Sequence, residues 1–269
     1  MIADNNDYGC SAAEIFMYAG DTAIHHGFID TVEYTKSFGK NIVSITSRGF
    51  TAMLCQNQLE PGLVSGISID KLIDGYYTLP YVTHENNDSS GYIYVKSNSS
   101  IWDGVVNLSY KLCGTYPYIR GTNCVRITAE TNPSEFSYNQ SSEIETGSSS
   151  SLKRVISDFN MSDINDSYGE FTLTDDEIVS RKIVRHKVFE LDRQFLYNPQ
   201  EALEYRDKYV RRGSIRKFCR YSGYNGEDLM DKVTFEDVSG ARICRIEITG
   251  DSKGIFTELS VYNDGFYNL

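Results

Sequence analysis

Val43 and Ile45 alternate with Ser44 and Thr46, the period-two pattern of a strand with one buried face. Upstream, residues 11–18 and 23–34 read as two more strands, the second interrupted by Gly27, with a turn at Gly20-Asp21 and turn residues over 37–41. Strand, turn and strand at this spacing predict a sandwich or barrel. The period then lengthens. Ser68 is placed to cap a short helix whose apolar positions Ile69, Leu72, Ile73 and Tyr76 fall at i, i+3, i+4 and i+7. After a compact strand at 91–95, Ser100 and Asp103 have the spacing of a capping box. Ile101, Val105, Leu108 and Leu112 form the stripe of the helix that follows, and Gly114 stands where it should stop. Trp102 is expected to pack this helix onto a sheet. Residues 116–120 and 124–129 read as closing strands with Val125 and Ile127 inward.

From Thr131 to Leu152 the pattern lapses into Ser, Glu, Gln and Gly, which reads as a polar loop or linker. The chain therefore divides into 1–65, the first part of a β domain; 66–130, a mixed segment with closing strands; 131–152, the linker; and 153–269, a second β-rich domain. That domain holds a helix over 199–212, with Asn198 as cap and Pro199 in its first position. Cys244, Ile246 and Ile248, then Ile255, Thr257, Leu259 and Val261, mark a hairpin turning at 250–254.

Composition sharpens this picture. Twenty Tyr and thirteen Phe favour pleated, half-buried surfaces, so the fold class is mainly β with some α. A formal net charge of −11 argues against a sequence-independent nucleic-acid binder and against an anionic membrane surface. No apolar run has the length of a membrane span. The acidic, polar stretch from Met1 to Asp7 is unlike a secretory signal, so the protein is expected to start in the cytoplasm that makes it. Cys10, Cys55, Cys113, Cys124, Cys219 and Cys244 are scattered and read as small buried hydrophobes.

The search for chemistry yields little. No phosphate-cradling loop, nucleophile elbow or H-E-x-x-H pattern occurs. His25 and His26 are adjacent, which on a strand turns their rings to opposite faces. Neither His84 nor His186 completes a cysteine–histidine zinc spacing. Glu60 and Asp70 each offer half of a glycosidase acid pair, but among 37 carboxylates such pairs arise everywhere. The basic run Lys208-Tyr209-Val210-Arg211-Arg212, with Arg216-Lys217, is read first as charge complementing a helix C-terminus and second as a contact for an acidic partner. No catalytic, cofactor-binding or metal-ligating residue is assigned, no cofactor is expected, and the binding residues stay unknown. Arg48 and Glu60 are candidates to pair with one another.

A strand ending in Ser47-Arg48-Gly49, a short helix over Thr51 to Leu54 and then Asn57-Gln58-Leu59-Glu60-Pro61 form one motif. Before it stand Tyr18-Ala19-Gly20-Asp21 and His26-Gly27-Phe28-Ile29-Asp30; after it, Tyr92-Ile93-Tyr94-Val95 leads to Ser100-Ile101-Trp102. Tyr116-Pro117, the run from Leu191 to Leu203 and the run from Gly254 to Tyr262 follow in order. Together these resemble the baseplate hub proteins of contractile-tailed phages and prophage tails. His26 stands where that family has an apolar or aromatic residue, and Asn98 where it has Gly. The resemblance implies two antiparallel β-barrel domains like those of the tail tube, with mixed α/β segments inserted. It further implies a homotrimer with no enzymatic activity, a virion protein of the tail baseplate assembled in the bacterial host's cytoplasm. Its implied partners are the tail tube or tube-initiator protein, the spike protein and a baseplate wedge or tape-measure protein, with no specific nucleic acid and no membrane insertion. The chain is short for that family, which suggests that an accessory region is missing. From a different class, a tail-associated glycan-binding module or peptidoglycan hydrolase remains the alternative.

Overall fold

The computed structural model describes residues 13–76, 78–139, 145–196, 198–263 and 265–266. Of the described residues 43% are strand and 19% helix, and no closed barrel is found among them, so the expected mainly-β class holds while the two barrel domains are not seen. The chain forms two compact units, residues 1–108 with 117–127, and residues 109–116 with 128–269.

The first unit opens with β1 (Glu14–Ala19), β2 (Thr22–Ser37) and β3 (Lys40–Gly49). These pair antiparallel in the order β1-β2-β3. Phe38 and Gly39 turn the β2–β3 hairpin with φ of 48° and 77°, the two successive positive values of a tight turn whose twist matches its strands. Gly27 does not interrupt β2. It is the point where β2 runs closest to β3, since a Cβ there would lie 2.1 Å from the Arg48 carbonyl oxygen. A helical turn over Phe50–Ala52 leads into α1 (Met53–Gln56).

Then come β4 (Gly62–Ile67), α2 (Ile69–Ile73), β5 (Thr83–His84), β6 (Gly91–Val95), α3 (Ile101–Cys113), β7 (Tyr118–Arg120) and β8 (Cys124–Arg126). Strand β4 pairs with β6, and β8 lies between β5 and β7. Ser68 caps α2 by accepting the Lys71 N–H at 3.3 Å, and Ile69, Leu72 and Ile73 are buried. Tyr76, expected on that stripe, is exposed because α2 has already ended. At α3 the capping box is reciprocal: the Asp103 N–H donates to Ser100 Oγ at 3.1 Å and the Ser100 N–H to Asp103 Oδ2 at 2.8 Å. Gly104 lets α3 approach the side chains of Leu59, Leu72 and Ile93, whose atoms lie 2.6–3.5 Å from where a Cβ would sit. Trp102 is only half-buried; of the expected stripe Ile101, Val105 and Leu108 are fully buried and Leu112 is half-buried. Residues of α3 through Leu108 belong to the first unit and its last turn to the second.

The second unit contains β9 (Glu135–Tyr138), β10 (Glu145–Ser150), β11 (Asp158–Met161), β12 (Phe171–Thr174), α4 (Asp176–Ser180), β13 (His186–Phe189), α5 (Pro199–Arg211), β14 (Ile215–Ser222), β15 (Lys232–Phe235), β16 (Val238–Arg242), β17 (Arg245–Asp251) and β18 (Gly254–Tyr262). Segment 131–152, read as a loop or linker, thus carries two strands, residues 140–144 lying outside the described ones. Three sheets result, ordered β10-β14-β18-β17, β12-β11-β13 and β16-β15-β9. Pairs β9–β15 and β11–β13 are parallel. One core fills with Cys219, Tyr221, Val233, Phe235, Leu259 and Val261 from β14, β15 and β18. Ile255, expected inward, is exposed near the β17–β18 turn.

Candidate functional site

The sheet β1-β2-β3 has an unusual balance of burial. Among the described side-chain positions of its strands, Gly27 alone is buried. Val43, Ile45 and Ser47 are half-buried on one side while Ile42, Ser44 and Thr46 are exposed on the other. Phe16, Met17 and Tyr18 lie exposed along β1, and Phe38 at the hairpin tip is fully exposed. Apolar surface of this kind marks places where something else packs. Among the described residues, both outer strands, β1 and β3, also have an edge with no further strand beside it.

Side chains around this sheet are held by one another. His26 stacks on Phe16 with centroids 4.0 Å apart and meets the edges of Phe50 and Tyr81 at 5.0 and 4.6 Å. Its Nε2 bonds Glu14. His25 turns the other way and bonds Ser47 Oγ at 2.8 Å. Burial, then the neighbouring His26, lowers its pKa below the usual histidine value. The two rings therefore do not converge on a common ligand. Arg48 makes a two-pronged contact to Asp30, at 2.6 and 2.7 Å, and lies over the Phe28 ring. Its hydrogen bond holds the Asp30 carboxyl below its ordinary value. Arg48 is thus the partner of Asp30, whereas Glu60 is exposed.

The basic run of the second unit is spent on internal partners. Arg211 binds Asp207 at 3.0 Å, Glu177 at 3.4 Å and also Asp175. Arg212 lies 3.8 Å over the Tyr116 ring. Arg216 pairs with Glu258 at 3.2 Å and Lys217 with Asp237 at 2.5 Å. Arg216 and Lys217 belong to β14, not to the end of α5. A cavity of about 310 Å³ is lined by Glu177, Asp207, Lys208 and Arg211. Burial raises the Asp207 carboxyl, with Arg211 opposing. Both carboxylates face one guanidinium, so neither is left to act alone on a substrate. A second cavity, about 480 Å³, has Val238, Ala241 and Val261 in its wall beside the Lys217–Asp237 pair.

Glu227 is almost fully buried and accepts from the hydroxyls of Tyr138 and Tyr221 and from the Asn225 N–H at 3.1 Å. Its charge is answered by donors, and burial pushes both phenols above their usual range. Five cysteines are described, and no two of them form a disulfide. Cys219 is buried, its thiol pushed up to about 12 by burial, but Cys55 is exposed, against the expectation for a small hydrophobe; Cys10 lies outside the described residues. His84 on β5 has its pKa raised: burial works against the shift, and the Glu85 carbonyl with Asp74 and Asp70 outweighs it. Sequence spacing concealed this grouping, because His84 lies ten positions beyond Asp74 on a separate element. Only the i,i+4 pair of acids on a short helix was there to notice.

No protein-family model and no curated protein matches the chain. Solved structures do. The tail protein from Neisseria meningitidis MC58 matches with TM-score 0.69 at 14% identity, over 91% of this chain and 82% of that one. The 43 kDa tail protein of prophage MuSo2 from Shewanella oneidensis matches with TM-score 0.70 at 13% identity, over 95% and 84%. This chain shares its fold with those two tail proteins. Asn98, at the position where the hub pattern has Gly, adopts a φ of 66°; asparagine is among the few non-glycine residues that tolerate it. No described helix is long and apolar enough to cross a membrane.

Proposed function

We propose that the chain is a structural protein of a phage or prophage tail, acting as the hub of a contractile-tail baseplate. Three copies form a ring that joins the hexameric tube to the trimeric spike. The observation that carries this reading is the near full-length match to two tail proteins. The coreless sheet β1-β2-β3 adds to it, because a sheet with one buried residue of its own gains most from neighbours in a ring. On this reading neighbouring copies or the tube close the open sheets into the barrel-like ring. The net charge of −11 suits a lumen through which DNA passes without being held. The role needs no catalysis, in keeping with carboxylates that are ion-paired to Arg211 or saturated by donors, as Glu227 is.

Native mass spectrometry of the purified chain, alone and mixed with its spike protein, tests the proposal. A homotrimer of 30.5-kDa chains in either sample is expected. A monomer in both would sink the ring, and glycan binding and peptidoglycan hydrolysis would then be assayed in its place.

A further inference from the structure

Asp70 and Asp74 sit four residues apart at α2, so their carboxylates leave the same side of the helix. Across from them, β5 presents His84. Its Nε2 lies 3.2 Å from Asp74 Oδ2 and 3.6 Å from Asp70 Oδ1. One ligand atom from each residue falls within 4.8 Å of the others. The nearest cationic side chain on the helix turns away, for Lys71 donates its Nζ–H to the Gly66 carbonyl at 2.9 Å.

The tautomer of His84 decides what this arrangement lacks. Nδ1 lies 2.8 Å from the Glu85 carbonyl oxygen, which only accepts, so Nδ1 carries the hydrogen. In the neutral ring Nε2 is then a lone pair, and it faces two carboxylates that also only accept. Three lone-pair donors converge on one point. A backbone carbonyl fixing the far nitrogen of an imidazole is the usual support of a metal-binding histidine.

We propose that Asp70, Asp74 and His84 bind one divalent cation of the zinc type. The spacing fits: bonds of about 2.0–2.1 Å in a tetrahedron put ligand atoms about 3.3 Å apart, against 3.2 and 3.6 Å here. Imidazole selects zinc and its transition-metal neighbours over magnesium or calcium. Three protein ligands leave one position to water. Bound there, the ion ties α2 to β5 and clips the intervening loop, whose Tyr81 packs against His26 and Phe50. The alternative occupant of the same gap is a proton on Nε2.

Calorimetric titration of the tag-free full chain with zinc chloride tests the site. One ion per chain is expected, with His84→Gln and Asp74→Asn each weakening binding by more than about tenfold, since loss of a mere supporting residue already costs that much. Asp88→Asn, an exposed neighbour, should change nothing. Should a variant misfold, the wild-type protein still answers: long-range proton–nitrogen NMR should show zinc shifting His84 Nε2 while Nδ1 keeps its proton. No binding, binding untouched by both substitutions, magnesium bound as tightly as zinc, or a shift at Nδ1 would each overturn the proposal and leave a protonated histidine between two acids.

Discussion

The sheets β1-β2-β3 and β10-β14-β18-β17 are built from similar material and are stabilised differently. In the second, β14 and β18 together bury Cys219, Tyr221, Thr257, Leu259, Ser260 and Val261. In the first, the longest strand of the molecule, β2, buries one glycine. Hydrogen-bonded ladders are present in both, yet a ladder exchanges water bonds for protein bonds with little net gain. Apolar burial makes up the difference, at about 25 cal/mol per Å². The four-stranded sheet has that contribution within its own chain, whereas the three-stranded sheet leaves its apolar side chains to be covered by something else.

The sharpest way to break this comparison is to truncate matched positions. Leu259→Ala should lower the urea-unfolding free energy by about 2–5 kcal/mol, while Ile45→Ala should cost about 1 kcal/mol or less. Equal losses would mean that the first sheet has a core of its own. Next in size, Glu227→Ala removes the acceptor of two buried phenol hydroxyls and should cost about 3 kcal/mol, with Glu227→Gln near 1 kcal/mol. Where β1-β2-β3 is sensitive, the backbone is the reason. Gly27→Ala must push β2 away from the Arg48 carbonyl and should cost about 1–3 kcal/mol, with amide exchange quickening along β2 and β3.

A pH series gives a smaller effect with a definite sign. The pKa of His25 is lower folded than unfolded, so below its ordinary value of 6.5 the unfolded chain takes up the proton first. Stability at this position is therefore full above about pH 6.5 and is lost as pH falls toward the lowered folded value. In thermal melts from pH 8 to 5 the wild type should lose stability relative to His25→Gln, while His84, whose pKa is raised, contributes with the opposite sign in both. Smallest for the free chain is Phe38→Ser, which should change stability by less than about 0.5 kcal/mol yet reduce the trimer fraction in native mass spectra. A variant that melts earlier but still assembles would reverse the roles given to the two sheets.

What was legible in the sequence was local. The capping box at Ser100 and Asp103, the Asn198-Pro199 start of α5 and the β17–β18 hairpin each depend on residues within a few positions of one another. What was missed depends on distant pairing. Strand β14 hid behind Arg216 and Lys217, whose charges read as a helix end. In the sheet the guanidinium groups of Arg216 and Arg220 themselves lie over the rings of Phe218 and Phe256. Strand β10, Glu-Thr-Gly-Ser-Ser-Ser, has no aliphatic residue to announce it. It forms because β14 offers a ladder, and Gly147 leaves room for the Phe218 ring, 2.7 Å from where a Cβ would be. The pairing of β9 with β15 joins residues nearly a hundred apart, beyond the reach of any periodicity. For the carboxylate–histidine cluster the acids were visible on α2, but the loop that returns His84 to them was not.

The length of β2 has a mechanical consequence. Sixteen residues of strand reach about 50 Å at 3.3 Å each, and β3 runs beside it nearly to the turn at Phe38-Gly39. Pulled along the strand axis, the rungs between β2 and β3 share the load in shear and must fail together. Pulled sideways at the hairpin tip, the same rungs open one after another, as a zip does. The hairpin is thus stiff in one direction and weak in the other, and the direction in which a neighbour grips it determines whether it behaves as a strut or as a hinge.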